Sequence, residues 1–367
     1  MARATRRRLL AAAAGAAVVG SAGCLGGDRD AFRQAIGRRR DDRDEIPGTS
    51  VDALPDLEGD LTVYSGRSKG LVEPLLTHID DRYDGFDLTV RFADPNALTN
   101  QLLEAGENTR ADVFYSVHAP GTLGALLEAD LTRPLSSETT DTVDARYRSG
   151  ADWTGVSGRV RSVPYNTEQL DPGVIPASIY EFPDVERFRD DFGWDPVIPS
   201  FQASITAMRV IDGEETTRGW LEAMLELNPT AYSGGFSTCK SIADGEVSVG
   251  LTNHYHPRRV ALSRDDPPLG REFTRDDPGT VFNVAGSAVL EAADDPALAE
   301  AFVRHLLSGE AQEYFAMAQT TEYPVVEAVP PHESLPSRTE LAPPDVDFAD
   351  LRDLEGTVEL LKEYGLV

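Results

Sequence analysis

Two histidines flank a tyrosine in the stretch LTNHYHPRR (residues 251–259), although the whole chain has only 6 histidines. Phenolate oxygen and imidazole nitrogen are both reasonable ligands for iron. Tyr255 and His256 are consecutive, and a strand would send them to opposite faces, so only a turn could bring both to one ion. Pro257 is compatible with the first turn of a helix that begins near His256. The stretch therefore indicates either a metal site or a polar turn after a strand.

The N-terminus has the order of an export signal. Arginines at positions 6–8 directly precede an apolar run over residues 9–19, which is shorter than the roughly 20 residues that a membrane-spanning helix needs. The letters TRRRLL resemble a twin-arginine signal, and SAGC, which ends at Cys24, resembles a lipobox whose cysteine is lipidated. The alternative is an ordinary secretory signal with an incidental cysteine. We predict a twin-arginine lipoprotein signal over residues 1–24 and a lipid-anchored domain on the extracellular face of the cell membrane.

The chain is strongly acidic, with a formal net charge of -28. Removal of residues 1–24 takes away four arginines and no acids, which brings the charge to about -32 (-28 minus 4). Lysine occurs only at Lys69, Lys240 and Lys362. A surface of this sign repels nucleic acid and anionic lipid, so we expect no nucleic-acid partner. The composition is typical of a salt-loving organism and predicts a haloarchaeal lipoprotein, with a merely acidic secreted protein as the alternative.

Residues 25–59 are charged and interrupted by prolines, with little apolar periodicity. Such a composition predicts a flexible acidic tether between the lipid and a folded domain. Cys239 is the one cysteine that remains once Cys24 is assigned to the lipid, so the sequence contains no disulfide framework. Its place in a predicted helix over residues 236–243 indicates a small buried apolar residue.

Strand and helix patterns alternate from Leu61 onward. Predicted strands cover residues 61–65, 88–92 and 111–116, and predicted helices cover residues 69–84, 96–107 and 121–131. Alternation over short connections predicts a parallel sheet with helices on both faces. Ligands of such sheets bind beyond the carboxyl ends of the strands. Residues at two of these ends are candidate ligand contacts, namely Ser65, Gly66, Arg67, Ser68 and His118, and Arg67 could pair with an anionic solute.

Seven stretches occur in an order and at a spacing that resemble the ferric-iron-binding solute-binding proteins of ABC importers, which are bacterial relatives of the transferrin fold. The resemblance runs from about Leu61 to Pro324. The stretches are LTVYSG (61–66), ADVFYS (111–116), DWTGVSGRVR (152–161) continuing to Tyr165, DGEV (244–247) with Asn253 and Tyr255, RDDPG (275–279), AGSAVL (285–290) and EYP (322–324).

The resemblance implies an α/β protein with the two-lobed, type II periplasmic-binding-protein fold. Each lobe would be a mostly parallel sheet flanked by helices, and two crossing strands near residues 160–165 and 281–287 would form the hinge. Residues 60–160 with 282–325 would form lobe 1, and residues 161–281 with 326–367 would form lobe 2. Such a protein closes around its solute and delivers it to a membrane permease driven by an ATPase. We expect a monomer.

The resemblance also implies a set of site residues. Tyr255 and His256 match two adjacent tyrosines that bind ferric iron, and Asn253 matches a residue that helps to hold the anion beside the metal. The family's other metal ligands fall at Ser68 and Val117, where His118 is adjacent and is the candidate substitute. The remaining anion-holding positions fall at Ser200, which keeps a hydroxyl, and at Gly235, where the family has asparagine. The implied cargo is Fe(3+), free or in a chelate, with a synergistic anion.

The remaining histidines receive no ligand role. We expect His254 to face solvent or to cap the turn, and His78, His305 and His332 to lie on helical or loop surfaces.

Other functions stay open at this point. The same fold could bind a small organic or anionic solute, such as a phosphonate, a thiamine-like compound or a polyamine. An extracellular enzyme is not favoured, because the sequence contains no GxSxG elbow, no HExxH, no P-loop and no strand-linked GxGxxG. An adhesion protein is not favoured either, because no internal repeat is evident. We therefore predict a binding protein and not an enzyme.

Overall fold

The computed structural model describes residues 46–317, 321–344, 346 and 350–367. The predicted signal, the lipidation site Cys24 and the tether up to residue 45 lie outside these residues. Within them, no helix is both long enough and apolar enough to cross a membrane.

Strands and helices alternate along most of the described chain. The strands are β1 Gly59–Ser65, β2 Phe86–Phe92, β3 Val113–Ser116, β4 Thr132–Arg133, β5 Arg148–Ser149, β6 Trp153–Arg159, β7 Arg161–Asn166, β8 Phe192–Trp194, β9 Thr230–Ala231, β10 Val249–Asn253, β11 Leu269–Glu272, β12 Asn283–Leu290 and β13 Tyr323–Pro324. The helices are α1 Lys69–Arg82, α2 Pro95–Ala105, α3 Ala119–Glu128, α4 Ser137–Thr140, α5 Pro199–Asp212, α6 Glu214–Glu226, α7 Gly235–Asp244, α8 His256–Ser263, α9 Pro296–Leu306, α10 Gly309–Met317, α11 Arg338–Leu341 and α12 Leu354–Glu363.

The strands form two sheets, which confirms the predicted α/β architecture. The first has the order β13-β6-β12-β3-β1-β2, with β4 beside β12 and β5 beside β6, and the second has the order β11-β7-β10-β8-β9. β1 runs parallel to β2 and β3, and β8 runs parallel to β9 and β10. β12 is antiparallel to β3 and β6, and β7 is antiparallel to β10 and β11. Each sheet is therefore mixed rather than mostly parallel, because the strands that cross between the sheets run against their neighbours.

The first sheet is buried on both faces. Along β3, Phe114 packs in one hydrophobic cluster while Val113 and Tyr115 pack in another. Successive side chains of a strand point to opposite faces, so a strand covered on both sides shows a continuous apolar run. A third cluster lies under the second sheet, and Cys239 packs in a small fourth cluster with Ala243 and Val260. The expected burial of Cys239 is thereby confirmed.

The described part of the predicted tether, from residue 46 onward, is packed against the first sheet's helices, which corrects the prediction of a flexible segment up to residue 59. Val51, Leu54 and Leu57 are buried. The buried carboxylate of Glu310, in α10, accepts hydrogen bonds from Ser50 Oγ at 2.7 Å and from the Val51 N–H at 2.8 Å. Three apolar residues at a spacing of three are too few to stand out among the charges, so sequence composition alone suggests a linker.

The C-terminal part of the chain contributes to both lobes. Val326, Val329, Leu335 and Leu341 belong to the cluster of Phe114, so the buried part of residues 326–341 packs with the first sheet and not with lobe 2 as predicted. Leu360 and Leu361, in α12, belong to the cluster under the second sheet.

A 3-10 turn, Asp350–Arg352, joins these two parts. It contacts α3 of the first lobe and α5 of the second. Leu351, in the middle of the turn, is buried. The C-terminal segment thus bridges the lobes beside the two crossing strands.

Replacement of Glu310 tests the packed N-terminal segment. In Glu310→Ala the Val51 N–H loses its acceptor, and we expect the free energy of unfolding to fall by about 1–3 kcal/mol, measured by chemical denaturation. The control is Glu327→Ala, at an exposed residue of the adjoining loop, where a change within about 0.5 kcal/mol is expected. Equal effects of the two substitutions would contradict a structural role for the segment.

Candidate ligand site between the lobes

The stretch LTNHYHPRR contains the end of β10, a short turn and the start of α8. β10 ends at Asn253, α8 begins at His256, and Pro257 lies in the first helical turn, which confirms the predicted strand-turn-helix. The half-buried Tyr255 ring packs between the rings of His254 and His256, with centroid distances of 5.5 and 4.5 Å. The turn therefore places a phenol and an imidazole from consecutive residues side by side.

Tyr255 is held by an amide from the strand that precedes it. Asn253 Nδ2 donates to Tyr255 Oη at 3.0 Å and to Ser200 Oγ at 3.1 Å. Ser200 lies in the first turn of α5, a helix with no counterpart among the predicted helices because serine and threonine interrupt its apolar residues. The structure thus brings three of the predicted site residues together.

His256 is a neutral imidazole in this setting. The side chain is 8 % exposed, and its Nδ1 is buried without a hydrogen-bond partner in the described part of the chain. Burial lowers the pKa of His256 well below its usual value, and the charges of Arg259 and Arg161 act in the same direction. A neutral imidazole keeps a lone pair for a metal, so the chemistry fits the predicted ligand role.

Gly235 makes room for this imidazole. A Cβ added at Gly235 would lie 2.3 Å from His256 Cδ2. The two positions at which the resemblance implies asparagine and tyrosine are therefore in contact here as glycine and histidine. The absence of a side chain at Gly235 is explained by the ring of His256.

His118 lies on the first-lobe side, directly before α3. β3 ends at Ser116, so His118 lies in the short connection between this strand and α3. The imidazole is buried, with Nδ1 3.4 Å from Asn283 Nδ2 and with no partner for Nε2 among the described residues. Burial, together with the positive charge of Arg159, lowers the pKa of His118 to about 3. His118 is thus a neutral side chain in contact with Asn283, and its metal-ligand role stays a prediction.

Arg67 forms an internal ion pair, which corrects its predicted pairing with an anionic solute. Its Nη2 donates to Glu322 Oε2 at 2.6 Å, and the guanidinium lies over the Tyr115 ring, 5.5 Å from the centroid. Ser157 Oγ donates to the same Glu322 oxygen at 2.8 Å. A buried guanidinium is costly without a charged partner, and the carboxylate that pairs with Arg67 belongs to the same lobe.

The other residues of the loop after β1 have different surroundings. Ser65 is buried and its Oγ accepts from the Arg67 N–H at 3.3 Å. Gly66 passes close to Pro95, and an added Cβ would lie 2.7 Å from Pro95 Cβ. Ser68 is exposed at the N-cap of α1. Roles of these three residues in ligand binding stay predictions.

Arg159 is a buried cation that sequence patterns do not single out. This last residue of β6 is 3 % exposed, its Nη1 is buried without a hydrogen-bond partner, and no described carboxylate pairs with it. Burial lowers the pKa of the guanidinium, Tyr255 and Glu322 act in the opposite direction, and Arg67 lowers it further. Arginine stays charged in proteins, so the cleft carries one positive charge that no described ion pair neutralises.

A cavity of about 10 Å³ lies between the two lobes. Arg159 and Asn283 line it from strands of the first sheet, Ser200 and Asn253 line it from the second lobe, and Leu351 lines it from the C-terminal segment. The space is about that of one water molecule. Hydrogen-bond donors and one unpaired cation therefore converge on a small space beside Tyr255.

Two histidines differ from their predicted surroundings. His254 is buried and not exposed, with Nδ1 3.3 Å from the Val160 oxygen and Nε2 3.0 Å from the Thr321 oxygen, so it joins backbone segments of the two lobes. His305 is also buried, with Nε2 2.8 Å from Tyr83 Oη. Both corrections have the same cause, since a histidine within a polar stretch gives no sign of what packs over it.

The substitution Gly235→Ala tests the packing of His256. We expect it to lower the free energy of unfolding by about 1–3 kcal/mol because the ring must leave its position, as measured by urea denaturation. Gly219→Ala, in α6, is the control, since nothing lies within 4 Å of an added Cβ there. Helix propensity should make that variant more stable by up to about 1 kcal/mol. Equal stabilisation of both variants would contradict the contact.

Comparison with known proteins identifies relatives over most of the chain. No family model matches. The chain is 28% identical over 312 residues to an Fe(3+)-binding periplasmic protein of Serratia marcescens, an alignment that covers 84% of this chain and 90% of the relative. The structure resembles iron-bound HitA from Pseudomonas aeruginosa, with a TM-score of 0.76, 26% identity and coverage of 84% of this chain and 99% of HitA.

A second solved structure has the same fold. It is a Trichodesmium protein in complex with iron and citrate ligands, with a TM-score of 0.72, 23% identity and coverage of 84% of this chain and 100% of that one. The relatives are described as binding proteins, in agreement with the prediction that this chain is not an enzyme. The chain is thus similar over most of its length to periplasmic ferric-iron-binding proteins and shares the two-lobed fold of these solved structures.

Proposed function

We propose that this protein is the extracellular, lipid-anchored solute-binding component of an ABC importer, and that it captures ferric iron together with an anion or chelator between its lobes. The observation that carries the proposal is the pairing of Tyr255 and His256 at the strand-turn-helix, beside a cavity lined by Arg159, which has no described carboxylate partner. Phenolate and neutral imidazole are ligands for iron, and the guanidinium is a partner for an anion.

The donor set explains why iron would bind with an anion. The described residues contain no group of three or more histidine, cysteine or acidic side chains that could hold a metal ion. A hard ferric ion takes several oxygen donors, and Tyr255 supplies one phenolate. Oxygens of a bound anion or chelator would complete the coordination, and their negative charge would neutralise Arg159.

The site is divided between the lobes in a way that suits closure. Arg159 and Asn283 belong to strands of the first sheet. Asn253 ends a strand of the second sheet, and Tyr255 and His256 follow that strand. An anion held by the first group and a metal held by the second would join the lobes. Because such a cargo contacts both lobes only when they are together, it stabilises the closed form.

The second candidate is the same fold with a small organic or anionic solute, such as a phosphonate. The unpaired charge of Arg159 favours an anion over a cation such as a polyamine or a thiamine-like compound. In that case Tyr255 and His256 would be walls of the pocket. Transfer of either cargo to a membrane permease with its ATPase, and anchoring through Cys24 after twin-arginine export, are parts of the proposal that rest on the sequence.

Titration of the stripped protein with ferric iron, with and without phosphate or citrate, tests the proposal. We expect a saturable visible band from charge transfer between tyrosinate and iron, and we expect Tyr255→Phe to abolish it. Tyr364→Phe is the control, because Tyr364 Oη donates to Glu222 at the surface, 2.9 Å away. If no band forms and elemental analysis finds no bound metal, iron is not the cargo, and a thermal-shift screen of organic anions takes the place of the titration.

Arg159→Gln tests the role of the anion. For the unsubstituted protein we expect citrate or phosphate to tighten iron binding, and for Arg159→Gln we expect this gain to fall by about tenfold or more, since a charge-assisted hydrogen bond is lost. The control is Arg187→Gln, which removes a half-exposed arginine paired with Asp191. An unchanged anion dependence in Arg159→Gln would show that another group holds the anion.

A further inference from the structure

We propose that Arg161 is a positioning residue that fixes which end of the Asn253 amide faces Tyr255. The proposal rests on the proposed function, in which Tyr255 is the iron ligand. It assigns to Arg161 control over whether the Tyr255 oxygen accepts a hydrogen bond from Asn253 or donates one to it. Arg161 lines the same cavity as Arg159 and Asn253, but no hydrogen bond joins it to Tyr255 in the described part of the chain. Its effect passes through one hydrogen bond to Asn253.

Arg161 is held rigidly at the start of β7. It is 3 % exposed, and its Nη2 donates to Asp195 Oδ1 at 2.6 Å and to the Leu251 oxygen at 2.7 Å. The guanidinium also lies over the Phe201 ring, 5.6 Å from the centroid. Because the guanidinium is planar and its partners come from β10, from α5 and from the residue that follows β8, its remaining nitrogens have little freedom of direction.

One of those nitrogens points at Asn253. Arg161 and Asn253 are register partners in the antiparallel pair of β7 and β10. Arg161 Nη1 donates to Asn253 Oδ1 at 3.4 Å. An arginine can only donate hydrogen bonds, so the amide must present its oxygen to Arg161. The other end, Nδ2, must then face Tyr255 and Ser200.

This orientation determines the hydrogen bond at the phenol. Asn253 Nδ2 is a donor, so Tyr255 Oη accepts at 3.0 Å and its own proton points elsewhere. The reversed amide would present Oδ1 instead, and the phenol would donate its proton to Asn253. Iron binding replaces the phenol proton, and with Asn253 Nδ2 donating to the oxygen that proton lies on the side away from Asn253. Arg161 therefore selects the amide orientation that suits a metal ligand.

The same orientation links the site to the crossing strand. Arg161 follows Arg159 and Val160 at the point where the chain passes from the first sheet to the second. A change in the direction of this strand would move the guanidinium that orients Asn253. The phenol would then be correctly presented only when the crossing strand is in the arrangement seen here.

A double-mutant cycle with Arg161→Gln and Asn253→Ala tests the proposal. We expect each single change to weaken iron binding by about tenfold or more and to shift the maximum of the tyrosinate band. If Arg161 acts through Asn253, Arg161→Gln should have little further effect in the Asn253→Ala background. Arg161→Lys keeps a charged donor and should restore part of the affinity and the band position. Additive effects, or an unshifted band in Arg161→Gln, would overturn the proposal.

An iron-free measurement separates this proposal from the proposed function. The Cζ carbon resonance of Tyr255, assigned with Tyr255→Phe, reports the hydrogen bond at the phenol in the empty protein. We expect it to move in Arg161→Gln and to stay in place in Arg218→Gln, a change at a surface arginine paired with Glu214 and Glu363. If the unsubstituted protein gives no tyrosinate-iron band, the assignment of iron as the cargo fails. A shift of the Tyr255 Cζ resonance in Arg161→Gln would still support the positioning role. An unmoved resonance overturns that role whether or not iron binds.

Discussion

Two buried guanidinium groups stand on either side of the residue where the chain crosses from the first sheet to the second. Burial of a charge is costly unless a partner is present. Arg161 has Asp195 and a backbone oxygen, whereas Arg159 has no described carboxylate partner. The crossing therefore contributes an excess positive charge at the junction of the lobes. An anionic cargo would neutralise it, and the other features of the cleft are arranged around that requirement.

The cleft differs from a cage of acidic residues in what it can select. Asn253, Asn283 and Ser200 are neutral, and the nearby histidines are kept neutral by burial, which lowers the pKa of His118 to about 3 and that of His254 to about 4. A divalent cation that binds alone would lie near the positive charge of Arg159, and it would bring no negative charge to offset the repulsion. A metal that arrives with negatively charged oxygens of its own would offset that charge, so under the proposed function the charge balance of the cleft would favour a complex over a bare ion.

Much of the fold could be predicted from periodicity, and the site only in part. The turn at Tyr255 could be predicted from the sequence, because β10 and α8 have clear boundaries and Pro257 marks the first helical turn. Arg159 could not be predicted as a site residue, because all seven residues of β6 are buried and the polar residues of such a strand show no alternation with apolar ones. Arg67 and His254 illustrate the same limit. Their partners, Glu322 and the Thr321 oxygen, are distant in sequence, so no local pattern indicates an ion pair or a hydrogen bond.

Leu351 has a consequence for the movement of the two lobes. It is buried where the C-terminal segment contacts helices of both lobes. Separation of α3 from α5 would return this side chain to water, at a cost of about 1.5–3 kcal/mol if exposure is complete. Burial of Leu351 therefore adds to the stability of the closed arrangement independently of the contacts that any cargo makes. A cargo held between the lobes would then need less interaction energy to keep them together than in an otherwise equal protein without this contact.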